Sequence, residues 1–226
     1  MNRLLQVSLL LWLGVAATAA AASAQTADPH RFENEIAAFE AANKTNSPPK
    51  NAILFLGSST IRRWTNLARD FPGHKVFNRG FGGSQLSDSV YYFDRIVLPY
   101  KPKMIVLYAG SNDINAGKTP ETVADDCKAF VRKVESALPD TKVAFISINA
   151  SPSRWKDVEK VKQANRQIAD FMAKNEKLIF IDVFPAMLDP EGKSRPELYV
   201  EDRLHLNAKG YAIWTPIIAP YLDKAE

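Results

Sequence analysis

Short apolar runs alternate with helix-like patterns along most of the chain, and this alternation restricts the fold more than any other feature. Five runs rich in β-branched and aromatic residues are bounded by turn residues, as buried strands are. They are Ile53 to Leu56, Val76 to Phe77, Met104 to Tyr108, Val143 to Ile148 and Leu178 to Val183. Near-continuous apolar strands that alternate with helices predict a five-stranded parallel sheet with helices on both faces, a three-layer α/β/α sandwich.

The helix-like patterns lie between these runs, with apolar residues at the spacing of helices that pack on one face. Their apolar positions are Phe32, Ile36 and Phe39; Trp64 and Leu67; Val90, Phe93 and Val97; Val123, Cys127, Phe130, Val134 and Leu138; Val158, Val161, Ile168 and Phe171; and Trp214, Ile217, Ile218 and Tyr221. Cys127 is the only cysteine in the sequence and falls on an apolar face. We therefore expect it to be a core residue, and we expect no intrachain disulfide.

The amino terminus has the pattern of a secretory signal peptide. Arg3 is followed by an apolar stretch, Leu4 to Ala22, and then by the small residues of a signal peptidase site. We expect residues 1–24 to be removed after Ala24 and the chain to be secreted or periplasmic. The alternative is a membrane anchor, but the stretch is Ala-rich and lacks a charged stop-transfer flank, so no stable anchor is expected.

The rest of the chain is about 200 residues long, which suits one well-cored domain. Residues 25–50 contain a leading helix and a Pro-containing linker, and residues 51–226 form the main domain. The sequence has 29 basic and 25 acidic residues, a formal net charge of +4. The basic residues do not alternate with aromatic ones, so nucleic acid is not an expected partner.

Polar and glycine-rich segments follow each of the first three predicted strands. Gly57-Ser58-Ser59 ends the first, Gly-Phe-Gly-Gly at 80–83 ends the second and Gly-Ser-Asn-Asp at 110–113 ends the third. The carboxyl ends of parallel strands meet at one edge of the sheet, and ligands bind in the loops beyond that edge. We therefore expect a site there.

A histidine and an aspartate near the carboxyl terminus add the groups that a reactive hydroxyl needs. His205 is the one histidine with an acid three residues upstream, Asp202, in a segment compact enough for the two side chains to touch. Acyl transfer requires a hydroxyl, a base, a carboxylate that orients the base, and donors for the oxyanion. Three scattered histidines and one cysteine do not have zinc spacing, so neither a metal nor a cofactor is expected.

Four segments occur in the order of a known family's motifs. Gly57-Ser58-Ser59, Asn-Arg-Gly-Phe-Gly-Gly-Ser at 78–84, Gly-Ser-Asn-Asp at 110–113 and Asp-Arg-Leu-His at 202–205 resemble the motifs of the SGNH hydrolases, also called GDSL-type lipases and esterases. The chain looks most similar to the lysophospholipase-like and platelet-activating-factor-acetylhydrolase-like members. The resemblance implies a flavodoxin-like fold and the hydrolysis of carboxylic esters.

The resemblance also implies a role for individual residues. The family's nucleophile falls on Ser59, and its acid and base fall on Asp202 and His205. Its oxyanion glycine falls on Gly83 and its oxyanion asparagine on Asn112. We expect the backbone N–H of Ser59 to be a further oxyanion donor.

Two positions depart from the family pattern, because Ser58 replaces an aspartate and Thr60 replaces a leucine. The replaced aspartate is not the acid of the triad, so activity is still expected. Ser58, Ser59 and Thr60 are also suited to cap the helix expected to begin at Ile61. We assign that capping role to Ser58 or Thr60.

Other interpretations of the same residues fit less well. The glycines at 80–83 could form a phosphate cradle, but the dinucleotide fingerprint needs a glycine where Gln85 stands. Asn112 could be an ordinary turn residue, and we assign Asp113 a structural role in that loop. The Gly-x-Ser-x-Gly elbow of α/β-hydrolases is absent because Ile61 occupies its last glycine position.

The sequence therefore predicts a secreted serine esterase that forms an acyl-enzyme on a small-molecule ester substrate. Short-chain acyl esters, lysophospholipids and acylated carbohydrates are the expected substrates. Three alternatives stay open: an O-acyltransferase, a non-catalytic binding protein on a hydrolase scaffold, and a metal-dependent phosphoesterase. Arg154 and Trp155 follow the fourth strand and are expected to line the substrate site, although Trp155 is equally suited to pack onto the next helix.

Overall fold

Five parallel strands form one sheet in the computed structural model, which describes Asp28 and residues 30–225. The strands are β1 (Ile53–Gly57), β2 (Val76–Gly80), β3 (Met104–Tyr108), β4 (Lys142–Ile146) and β5 (Leu178–Ile181). Their order across the sheet is β2-β1-β3-β4-β5, and every neighbouring pair is parallel. The predicted sheet is confirmed. The predicted signal peptide, residues 1–24, lies outside the described residues.

Helices cover both faces of this sheet. In chain order they are α1 (Glu33–Thr45), α2 (Ser59–Arg62), α3 (Leu67–Asp70), α4 (Leu86–Tyr91), α5 (Phe93–Ile96), α6 (Ser111–Asn115), α7 (Pro120–Ala137), α8 (Val158–Met172) and α9 (Ala208–Leu222). Within the part of the chain that the structure describes, no helix is both long enough and apolar enough to cross a bilayer.

The sheet separates two hydrophobic cores, because successive side chains of a strand point to opposite faces. Leu54 and Leu56 of β1 belong to the core shared with α4, α5, α7 and α8, whereas Ile53 and Phe55 belong to the core shared with α3 and α9. Cys127 is buried in the first core, as predicted, and burial raises the pKa of its thiol to about 12. The three-layer sandwich is confirmed.

Two helix-like patterns of the sequence are each split into a pair of short helices. The pattern at Trp64 and Leu67 becomes α2 and α3, which separate where the Trp64 indole turns into the core and donates to Asp70 Oδ2 at 2.7 Å. The pattern around Phe93 becomes α4 and α5, which break at the buried Tyr92. Burial of one large aromatic side chain at each break overrides the local helical preference.

The fourth strand ends earlier than its apolar run predicted. The N–H of Ile148 donates to Asn165 Oδ1 at 2.8 Å, and Asn165 Nδ2 donates to the Ile148 carbonyl at 2.9 Å. This side-chain amide takes the place of a neighbouring strand and satisfies both backbone groups. The chain is thus released from the sheet two residues early, and the loop that carries Arg154 can cross the carboxyl edge.

Candidate active site

Ser59 lies at the carboxyl edge of the sheet, as the first residue of α2. Gly57 has φ +138°, and a Cβ there would lie 1.9 Å from the Tyr108 carbonyl oxygen, so this position requires glycine. The N–H of Ser58 donates to that same oxygen at 3.0 Å, and the N–H of Phe81 donates to the Gly57 carbonyl at 2.9 Å. Hydrogen bonds to the ends of both neighbouring strands, β2 and β3, therefore fix the backbone just before Ser59.

Three side chains form a hydrogen-bonded series at this point. His205 Nε2 lies 2.9 Å from Ser59 Oγ, and His205 Nδ1 lies 2.6 Å from Asp202 Oδ2. Ser59 and His205 are 146 residues apart in sequence, so the fold is what brings them together. This order of hydroxyl, imidazole and carboxylate can transfer the serine proton to the ring while the carboxylate holds the ring in orientation.

A tight loop holds Asp202 and His205. Asp202 Oδ1 accepts the backbone N–H groups of Leu204 and His205, each at 2.9 Å, and the N–H of Val200 donates to the His205 carbonyl at 2.9 Å. Partial burial raises the pKa of Asp202, but hydrogen bonds from the His205 ring and from these two N–H groups outweigh burial and lower this pKa to about 2. The carboxylate beside the imidazole is therefore ionised near neutral pH.

The loop after β2 and helix α6 bring hydrogen-bond donors to the same place. A Cβ on Gly83 would lie 3.7 Å from Asn112 Nδ2, so the glycine backbone and this amide are neighbours. In the described part of the chain, the N–H groups of Ser59 and Gly83 have no hydrogen-bond acceptor. Two unpaired backbone donors and a side-chain amide are the components of an oxyanion hole.

Arg154 fixes the orientation of the Asn112 amide. Its Nη1 donates to Asn112 Oδ1 at 2.9 Å and to Ser111 Oγ at 2.8 Å, while Asn112 Nδ2 donates to the Ser84 carbonyl at 3.0 Å. The amide oxygen therefore faces the guanidinium, and one N–H of Nδ2 is left for another acceptor. Burial lowers the pKa of Arg154, but a guanidinium remains charged in proteins. The sequence predicted that Arg154 lines the substrate site, but it did not predict the hydrogen bond from Arg154 to Asn112.

A small cavity of about 20 Å³ opens beside Ser59. Its lining is mostly polar and comprises Ser58, Ser59, Thr60, Tyr108, Ser111, Asn112, Asn149, Ser151, Arg154, Leu204, His205 and Leu206. Arg154 is one of these lining residues. Trp155 is not among these lining residues; it packs partly buried against the core, with Lys193 Nζ 5.9 Å from its ring centroid. The packing alternative for Trp155 is the one that the structure shows.

The polar residues next to these groups have supporting positions. Ser58 is the residue before α2, which begins at Ser59 rather than at Ile61. The predicted capping role is wrong for Ser58, because its side chain makes no capping hydrogen bond; its backbone carbonyl accepts from Ile61 and Arg62 as the first hydrogen bonds of the helix. Asp113 is fully buried, accepts from the Leu86 N–H at 3.2 Å and from Lys118 Nζ at 2.8 Å, and burial raises its pKa. Its carboxylate joins α6 to the start of α4, which agrees with the predicted structural role.

Metal ligands are not clustered in the described residues, where no group of three or more His, Cys, Asp or Glu side chains could hold an ion. A contact beside the site that the sequence did not reveal is that of Glu35, whose carboxylate accepts the Gly82 N–H at 2.9 Å. Glu35 and Gly82 are 47 residues apart in sequence, and no local sequence pattern predicts a contact over that separation.

Comparisons with known proteins agree with this geometry. The sequence model of the GDSL-like lipase/acylhydrolase family matches residues 46–213. A search of curated proteins found no match to the chain.

Solved structures share the fold at low sequence identity. A Streptococcus pneumonia protein named for platelet activating factor is 23% identical with a TM-score of 0.73, over 84% of this chain and 92% of that one. A GDSL-like lipase from Bacteroides thetaiotaomicron is 20% identical with a TM-score of 0.73, over 84% and 98%. A carbohydrate esterase of family 3 from Talaromyces cellulolyticus is 18% identical with a TM-score of 0.62, over 76% and 96%.

The family predicted from the four sequence motifs is thus confirmed. Because the match covers well over half of the sequence, the chain belongs to the GDSL-like lipase/acylhydrolase family and is a carboxylic ester hydrolase.

Proposed function

We propose that the chain is a secreted serine acylhydrolase that cleaves esters of short acyl groups through an acyl-enzyme on Ser59. The observation that supports this proposal most directly is the series of contacts from Ser59 through His205 to Asp202, at 2.9 and 2.6 Å. A non-catalytic binding protein would not need these three side chains within hydrogen-bonding distance of one another. The hydrogen bonds of the Asp202 loop hold Asp202 and His205 in this arrangement.

The first half-reaction transfers the acyl group to the enzyme. Ser59 Oγ attacks the ester carbonyl carbon while its proton passes to His205 Nε2. The carbonyl oxygen becomes negatively charged and is received by the N–H groups of Ser59 and Gly83 and by the amide of Asn112. The bond to the leaving alcohol then breaks, and the alcohol takes the proton from His205.

The second half-reaction releases the acid. His205 takes a proton from water, which attacks the acyl carbon and forms a second oxyanion in the same set of donors. Collapse returns the electron pair and the proton to Ser59 and frees the carboxylic acid. Asp202 stays ionised throughout and stabilises the imidazolium in both halves.

The size and the polar lining of the cavity favour a substrate with a small acyl group and a polar alcohol. The cavity has a volume of about 20 Å³, room for about one water-sized group, and most of the lining side chains are hydroxyl, amide or guanidinium groups. A long alkyl chain would leave those groups without hydrogen bonds. The shared fold of a carbohydrate esterase from Talaromyces cellulolyticus is consistent with acylated carbohydrates as substrates.

A panel of esters from acetyl to palmitoyl, with a lysophospholipid and acetylated sugars, tests this substrate range. We expect kcat/KM for palmitoyl esters to be at least about tenfold below that for acetyl esters, because a long chain does not fit the polar cavity. Free acid should be the product, and analysis with an added sugar acceptor separates hydrolysis from O-acyl transfer. Rates that rise with chain length and are highest on the lysophospholipid would contradict the proposal.

The acidic limb of the pH profile tests the assigned base. We expect kcat/KM to fall as the pH is lowered, because a protonated His205 cannot accept the Ser59 proton. Histidine ordinarily changes charge between about pH 5 and 8. Asp202 stays ionised over that range because its pKa is lowered to about 2, so one proton should account for the whole limb. A flat profile for a chromogenic acetyl ester between about pH 5 and 8 would argue against a histidine base.

Secretion is part of the proposal and depends on the leader at residues 1–24. The apolar stretch and the small residues before Ala24 support it. Amino-terminal sequencing of the exported protein tests the cut, and a mature chain that still begins at Met1 would exclude it.

A further inference from the structure

The leading helix α1 contacts the loop that presents Gly83, although α1 lies before the range matched by the family, residues 46–213. We propose that Glu35 of α1 is a positioning residue for the ester hydrolase reaction, which holds this loop so that the Gly83 N–H points at the oxyanion. The inference rests on the proposed function, in which Gly83 is an oxyanion donor.

Glu35 joins the two segments that build the site. Its Oε2 accepts the Gly82 N–H at 2.9 Å and Nη1 of Arg62 at 3.0 Å. Gly82 immediately precedes the oxyanion glycine, and Arg62 is the last residue of α2, the helix that begins at Ser59. One carboxylate oxygen therefore links the oxyanion loop, residues 81–85 between β2 and α4, to α2, the helix that begins with Ser59.

Aromatic packing presses the same loop against α1. Gly82 has φ +39°, and a Cβ there would lie 2.1 Å from Phe32 Cε1, so the ring occupies the space beside this glycine. Phe32 also packs edge-on against the buried Phe81, with ring centroids 5.2 Å apart. The ring limits the translation of the loop, and the carboxylate limits the rotation of its peptide planes.

A second charged contact holds the far end of the loop. Arg31 pairs with Asp88, and the same carboxylate oxygen accepts the Gln85 N–H at 2.7 Å in the capping box of α4. The loop is thus held on both sides of Gly83 by residues that precede β1. Glycine-rich backbone otherwise has wide conformational freedom.

The expected kinetic effect follows from how oxyanion donors act. Such a donor lowers the barrier because it is already aimed at the position where charge develops, and it costs no reorganisation during the reaction. Without Glu35, the peptide plane that contains the Gly82 N–H can rotate, and this rotation also changes the direction of the Gly83 N–H. Substrate binding in the ground state depends little on this donor, so kcat should fall and KM should not.

Glu35→Ala, with Glu40→Ala as its matched control, tests the proposal. Glu40 lies on the same helix and pairs with Arg95 at 2.7 and 2.8 Å, away from the oxyanion loop. For a chromogenic acetyl ester we expect Glu35→Ala to lower kcat about tenfold with KM nearly unchanged. Glu40→Ala should leave both constants as they are, and the two variants should have similar melting temperatures.

Two conservative variants separate the hydrogen bond from the charge. Glu35→Gln keeps an oxygen that can accept the Gly82 N–H and should retain most of the activity. Glu35→Asp keeps the charge but draws it back from the loop, so it should lose about as much kcat as alanine. Glu35→Asp also replaces Glu35→Ala as the test if the alanine variant does not fold.

Wild-type kcat in Glu35→Ala and Glu35→Asp would overturn the proposal, and so would an equal loss of kcat in Glu40→Ala. A Glu35→Gln variant as slow as Glu35→Asp would overturn it as well, because the ion pair with Arg62 would then be the active contact. Failure of the underlying function has a different signature, namely a Ser59→Ala variant that still turns over the ester.

Discussion

Replacing Ser59 with alanine is expected to lower kcat for a short-chain chromogenic ester by at least about 10⁵-fold. The variant has no oxygen to form the acyl-enzyme, and His205 Nε2, 2.9 Å from Oγ in the wild type, has no proton to accept. Ser58→Ala is the matched control, since the side chain of Ser58 makes no capping hydrogen bond and the variant keeps the backbone carbonyl that accepts from Ile61 and Arg62. It should retain most of the activity.

A fluorophosphonate probe checks the same assignment without turnover. The Ser59 oxygen displaces fluoride and forms a phosphorus–oxygen bond, so peptide mass analysis should find the adduct on Ser59 in the wild type and in Ser58→Ala. The Ser59→Ala protein should stay unlabelled although it is folded. Full turnover by Ser59→Ala with loss of turnover in Ser58→Ala would assign the nucleophile to the other serine.

The order of the strands explains why the site forms where it does. β1 has β2 on one side and β3 on the other, so the connections that leave β1 and β3 diverge at the carboxyl edge. Ligands of doubly wound sheets bind at such a switch point. Ser59 follows β1 and Asn112 follows β3, while Gly83 follows β2 on the other side. The topology alone therefore gathers the serine and both predicted oxyanion residues.

Features carried by local patterns could be predicted from the sequence. Buried parallel strands are continuous apolar runs, so β3 was predicted with its observed ends, Met104–Tyr108. Asp202 and His205 are three residues apart, which made their contact predictable from spacing. The family resemblance was needed to choose Ser59 over Ser58, because both serines suit a helix start.

Features carried by long-range contacts could not be predicted in this way. Arg154 reaches Asn112 across 42 residues and Glu35 reaches Gly82 across 47, and each partner lies on a different element. An arginine after a strand and a glutamate on an amphipathic helix have many possible partners. Only the packing of α1 and of the loop after β4 selects the ones observed.

Replacing Asn112 with alanine is expected to lower kcat by about 100- to 1,000-fold, the usual cost of losing one oxyanion donor. KM should change little, because the amide interacts most strongly with the charged oxygen of the transition state. The melting temperature should be measured beside the rate, since the Ser84 and Arg154 hydrogen bonds are lost as well. A variant within a few-fold of wild type would remove Asn112 from the oxyanion hole.

Variants of Arg154 and Asn112 together test how Arg154 acts on the oxyanion donor. If its guanidinium acts by holding the Asn112 oxygen, Arg154→Met should lower kcat about tenfold in the wild type and hardly at all in Asn112→Ala. The apolar methionine keeps much of the side-chain volume but cannot donate to Asn112 Oδ1. Equal losses in the two backgrounds would mean that Arg154 contacts the substrate directly. A double-mutant cycle on kcat therefore decides between orienting the oxyanion donor and binding the ester.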